Sequence, residues 1–196
     1  MNAVPILVLL VSLLAATGAP PTARPTPFGP QSGGARAALV YGEGHAYWLT
    51  APDGWVLDGR AGAEQGLFAV FYPAGSTWSS APAVMYTTTS PRDSAADQPL
   101  EASVDADMAR ARAMSPGLRV ARVPPLTTQD GKHAEVRLIT GDRRGNNEAV
   151  AFIGEGPAVV VVTLTSRDLD RFTRAYPAFE SVVRSYSLVT AEAGLR

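Results

Sequence analysis

Residues 151–166 read AFIGEGPAVVVVTLTS, two apolar runs on either side of a glycine pair. The second run is almost wholly β-branched. Two substituents on Cβ restrict χ1 against a preceding helical turn, so such a run favours extended chain. A Gly-x-Gly turn before a helix can cradle a phosphate, whereas between two strands it is only a bend. A dinucleotide loop needs a third glycine and a helix directly after the turn. Here Pro157 follows, then the β-branched run. The segment therefore reads as a hairpin, with glycine free to take positive φ. Gly42-Glu43-Gly44 repeats the tripeptide and also lacks a following helix. Neither predicts a nucleotide cofactor.

Other segments supply further strands. Residues 47–50 and 55–57 flank Pro52-Asp53-Gly54, a turn signal. Residues 67–72 form a continuous apolar run between Gly66 and Pro73, suited to a central strand buried on both faces. Residues 83–89, 118–123, 132–140, 148–153 and 158–165 complete the set. The linker TGDRRGNNE carries the turn residues of a hairpin.

Two segments switch to helical spacing. Across residues 99–114, Leu100, Val104, Met108 and Ala111 fall on one stripe, with Glu101, Asp105, Arg110 and Arg112 off it. After residue 166 the seam is Leu169, Phe172, Tyr176, Phe179, Val183 and Tyr186. Ser166 is the expected N-cap, and Asp168 and Asp170 oppose the helix dipole. Pro177 is expected to kink this helix or split it in two. The sum is a single α/β sandwich of the α+β kind, mostly antiparallel.

Residues 6–14, ILVLLVSLL, precede small residues ending in Ala16-Thr17-Gly18. The pattern fits a secretory signal peptide over residues 1–18. No Lys or Arg precedes the run, so an uncleaved anchor or a misplaced start stays open. The run is short of the roughly 20 residues a membrane span needs. Residues 19–36 read as a Pro- and Gly-rich linker, 37–188 as the domain and 189–196 as a tail. No stable membrane span is expected after cleavage.

The chain has 196 residues, 46% hydrophobic and 18% charged, which is globular composition. Its formal net charge is −1, so no excess of positive charge is available for counterion release, and no nucleic-acid partner is expected. Cysteine is absent, which excludes disulfides, thiolate metal sites, a cysteine nucleophile and lipid anchoring.

His45 and His133 each have an acid two residues away, Glu43 and Glu135, but no paired-histidine spacing sets a metal geometry. No Gly-x-Ser-x-Gly elbow occurs. No metal, cofactor or catalytic residue is therefore assigned. Glu101, Asp105 and Asp107 read as a solvated helix face. Three residues are candidate partner contacts. Arg143 and Arg144 lie at a hairpin tip, where they can hold an acidic partner or simply keep the tip soluble. Trp78 lies in the polar loop GSTWSSAP, as an exposed anchor or as a lid on a sheet edge. Trp48 and Trp55 are expected in the core.

The strand-turn YWLTAPDGW, a later helix, antiparallel strands ending in AVVVVTLT, and the terminal FTRAYPAFESVVRSYS together resemble the PsbP-like superfamily. That group includes PsbP proteins of photosystem II, DcrB-type bacterial envelope proteins and a Ran-binding transport factor. The resemblance covers most of residues 46–187 and rests on Pro52-Asp53-Gly54-Trp55 and residues 179–186. It implies an antiparallel sheet with helices on both faces, and action by binding or stabilising partners. No catalytic or metal-ligand motif transfers to a position here. The expected function is an exported, non-enzymatic bacterial envelope protein, periplasmic or secreted, that binds an envelope or extracellular protein. Alternatives are a hydrolase with a spatially assembled acid and histidine site, or a small apolar ligand held between sheet and helix.

Overall fold

The computed structural model describes residues 36–42, 45–92, 99–156 and 158–189. The proposed signal peptide, most of the linker, Glu43, Pro157, the His45 side chain and most of the tail lie outside the described residues. The elements are β1 (Ala37–Gly42), β2 (His45–Thr50), β3 (Trp55–Asp58), β4 (Ala69–Pro73), β5 (Val84–Pro91), α1 (Leu100–Met114), β6 (Arg119–Thr127), β7 (His133–Thr140), β8 (Asn147–Glu155), β9 (Ala158–Ser166), α2 (Leu169–Arg184) and β10 (Ser187–Leu188). Among the described residues, no helix is long and apolar enough to cross a membrane.

Seven strands form an antiparallel sheet in the order β3-β4-β5-β9-β8-β7-β6, and β1-β2-β10 form a second, small one. The Gly154-Glu155-Gly156 bend joins β8 to β9 as a hairpin, with Gly156 at φ +53. Alternation along the strands separates two cores. Ala149, Ala151 and Ile153 of β8 and Val160, Val162 and Leu164 of β9 pack with Phe172, Phe179, Val182 and Val183 of α2. Their neighbours Val150, Phe152, Val159 and Val161 pack with Val104 and Met108 of α1. Helices thus cover both faces. The small sheet shares the α2 side through Val40, Tyr47 and Leu49, and the Tyr47 and Tyr186 rings lie 5.2 Å apart.

Three expectations are corrected. The N-cap of α2 is Asp168, whose carboxylate accepts from Arg171 N at 2.9 Å. Ser166 is still paired in β9, and its hydroxyl donates to Pro82 O at 2.7 Å, so the helix starts two residues later. Pro177 does not split α2. It lies on the exposed side, and Phe172 and Ala175 before it and Phe179 and Val182 after it are anchored in one core, which offsets the lost hydrogen bond. Trp48 is 44% exposed rather than core. Tyr47 and Leu49 take the inner face of β2, and the period of two turns Trp48 outward.

Candidate functional site

Five connections meet at one end of the large sheet. Antiparallel register dictates this. Val84, which opens β5, lies opposite Thr165; Thr165 lies opposite Glu148; Glu148 lies opposite Ile139. Arg119, which opens β6, lies opposite Thr140. The β2–β3 turn, the β4–β5 loop, the α1–β6 turn, the β7–β8 tip and the β9–α2 junction therefore form one rim. Ala74 N donates to Gly54 O at 2.8 Å, Ser166 Oγ to Pro82 O, and Asn147 Nδ2 to Ser166 O at 3.2 Å. Gly141 has φ +77, and a Cβ placed there would stand 2.2 Å from Gly117 O, so only glycine lets these turns meet.

The rim carries all three candidate contacts. At the β7–β8 tip, Asp142 Oδ1 accepts from Arg144 N at 3.1 Å and Asn146 N at 2.7 Å. The loop is folded by its aspartate, and Arg143 is left exposed with Arg144 half-buried. Trp78 folds from the β4–β5 loop over the α1 side of the sheet. Its ring meets Tyr86 edge-on at 6.3 Å, and its Nε1 donates to Gln65 Oε1 at 3.2 Å. Leu67 and Val70 lie beneath it. This is the geometry of a lid, with part of the indole still open.

A second feature was illegible in sequence. A cleft of about 320 Å³ between α1 and β6–β7 is lined by Asp105, Met108, Arg112, Val120, Arg122 and Arg137. Arg137 points from β7 toward α1 and is buried. Its Nη2 donates to Asp105 Oδ1 at 2.8 Å, and its Nη1 to Glu135 Oε2 at 3.1 Å and Val136 O at 3.0 Å. Arg122 pairs with Asp105 and Glu101. Arg112 Nη2 donates to Val120 O at 2.7 Å, covering a carbonyl on the free edge of β6. The hydrogen bond from Arg137 holds the Asp105 carboxyl below the usual range, helped by both guanidinium charges. Such a network cements helix to sheet. The acids of α1 are thus not simply a solvated face: Asp105 is tied to Arg137, and Asp107 is buried and pairs with Arg110.

Glu148, near the rim, is buried, and its carboxyl is pushed up to about 7 by burial first and the Asp142 charge second, against a hydrogen bond from Thr165. At the opposite end, Glu155 binds Lys132 and accepts from the Tyr186 hydroxyl at 2.6 Å. Leu188 N donates to Asp130 Oδ2 at 3.0 Å, so this cluster pins the chain after α2. Among the described residues, no group of three or more His, Asp and Glu could hold a metal ion. His133 is exposed at the start of β7.

Comparison with solved structures places this architecture. The chain is similar to cyanobacterial PsbP (CyanoP) from Synechocystis sp. PCC 6803, with TM-score 0.50 and 16% identity over 83% of this chain and 98% of that one. The fold is PsbP-like. A protein of unknown function from Pseudomonas aeruginosa, PA94, is 22% identical with TM-score 0.47, over 80% of this chain and 98% of that one. No family model matches the sequence, and no curated protein matches it. In the PsbP-like frame the large sheet lies between α1 and α2, and polar side chains gather at its rim, in the arginine cleft and in the Glu155–Lys132–Asp130 cluster at the opposite end.

Proposed function

We infer that this chain is an exported, non-enzymatic envelope protein, periplasmic or secreted, that binds or stabilises a protein partner. The observation that carries this is the state of the cleft. The carboxylates that line or border it, Asp105, Glu101 and Glu135, are each engaged by a guanidinium. General acid–base catalysis needs a group poised near the working pH and within reach of substrate. Asp105, which two arginines hold below the usual carboxylate range, is not so poised, and Glu148, pushed up to about 7, is buried out of reach. The PsbP-like architecture and the apolar run at residues 6–14 support binding and export in turn.

Three measurements test the reading. N-terminal sequencing of the native protein should begin near Ala19; an intact Met1 on a cytoplasmic protein removes the export step. Cross-linking in the native envelope fraction should yield one dominant protein adduct. Hydrolysis of chromogenic ester or phosphate substrates that disappears in Asp105→Asn would overturn the non-enzymatic assignment.

A further inference from the structure

We propose that the rim of loops is the partner-binding surface and that it fits an acidic patch on a folded protein. This rests on the partner-binding reading above. Arg119, Arg143, Arg144, Arg167 and Arg171 all stand on the rim, from three connections: the α1–β6 turn, the β7–β8 tip and the β9–α2 junction. Among the described residues none of their guanidiniums has an ion-pair partner, which is equally true of Arg60, Arg112, Arg174 and Arg184, so what sets the rim apart is the number of such arginines at one end. The carboxylates nearby are committed to the backbone: Asp142 folds the β7–β8 tip and Asp168 caps α2. Five arginines against Asp142, Asp168 and Asp170 leave this end with a modest excess of positive charge, on a chain whose formal net charge is −1. Two apolar side chains stand among the arginines, Leu169 at 61% and Met114 at 70% exposed. Arginine and methionine around exposed apolar points is the composition of an interface core.

A protein partner fits better than an anionic bilayer. Asp142, Asp168 and Asp170 are interleaved with the arginines. A flat sheet of lipid charge repels them, while a folded surface can match a mixed pattern. The loops are already tied together by hydrogen bonds, so little ordering entropy opposes docking.

The experiment compares the wild-type chain with Arg143→Glu/Arg144→Glu and Arg167→Glu/Arg171→Glu, and with Arg60→Glu/Arg184→Glu as a control of equal charge change. Circular dichroism first checks that each folds. A labelled oligoglutamate peptide and phosphatidylglycerol–phosphatidylcholine vesicles are the probes, followed by amide shifts of the labelled chain. The expected result is salt-sensitive peptide binding whose shifts cluster at residues 117–119, 141–146 and 167–171. Either rim variant should weaken it about tenfold or more, with the control near wild type. Equal loss in the control, or vesicle binding without peptide binding, overturns the proposal. Cross-linking in the envelope fraction separates the two readings. An adduct that survives both rim variants keeps the partner and removes the rim, whereas no adduct even with wild type removes the partner-binding reading itself.

Discussion

Arg137 Nη2 donates to Asp105 Oδ1 across 2.8 Å and ties β7 to α1. The two ends of this contact differ in exposure: Arg137 is 1% exposed, whereas the Asp105 side chain is 45% exposed. Arg137 was drawn into the interior by its strand parity and keeps its charge there because Asp105 and Glu135 meet it. Removing the partner of a buried charge is worse than never having had the charge.

Asp105→Ala should therefore destabilise the fold, by about 1–2 kcal/mol once solvent screening of the open carboxylate is allowed for. The sign in pH follows from the depressed carboxyl. Its stabilisation is present above the unfolded value, near 3.9, and is lost as pH falls through the lower folded value. Urea unfolding of Asp105→Asn should show a flatter acid limb than wild type below about pH 4. An unchanged acid limb would mean the pair contributes nothing.

Glu148 behaves in the opposite sense. Its folded value near 7 exceeds the ordinary 4.5, so the folded chain holds a proton that the unfolded chain has released. Stability falls as pH rises from about 4.5 through 7 and is level above. Glu148→Gln should remove this slope and gain about 3 kcal/mol at pH 8 while changing little at pH 4. Equal gains at both pH values would place the carboxylate in water.

Phe179 is fully buried in the α2 core and packs against Tyr176 with ring centroids 5.7 Å apart. Phe179→Ala should cost roughly 3–5 kcal/mol in denaturant unfolding. A loss under about 1 kcal/mol would show that α2 does not seal this core.

Trp78 acts as a lid on Tyr86, Leu67 and Val70. Because it is only half-buried, Trp78→Ala should cost about 2 kcal/mol, between an exposed and a fully buried aromatic. In a Trp48→Phe, Trp55→Phe background its emission should lie to the blue of Trp48 alone and resist iodide. Red, freely quenched emission would make it an open contact residue instead.

Much of this architecture was legible in the chain. The β-branched run after Pro157 and the glycine bend before it mark a hairpin wherever they occur, because χ1 restriction and positive φ are local effects. The stripe of Leu100, Val104 and Met108 did the same for α1. Local signals also put Arg143 and Arg144 at a turn and Trp78 in a loop. Local rules failed where the answer lay in a distant partner. Ser166 carries the chemistry of a cap, but its hydroxyl was taken by Pro82, 84 residues away. Pro177 breaks an isolated helix, but here the same core holds both halves.

The sequence alone thus determined most strands of the large sheet, its hairpins and the two amphipathic faces, since each depends on neighbours a few residues apart, but not β1 or β10 of the small sheet. Only the tertiary structure decided that Trp48 faces outward, that Arg137 meets Asp105 and that arginines from three connections share one rim. Each of these depends on strand parity and on which strands pair, and pairing is settled by burying both sheet faces at once, a free energy that no single segment carries.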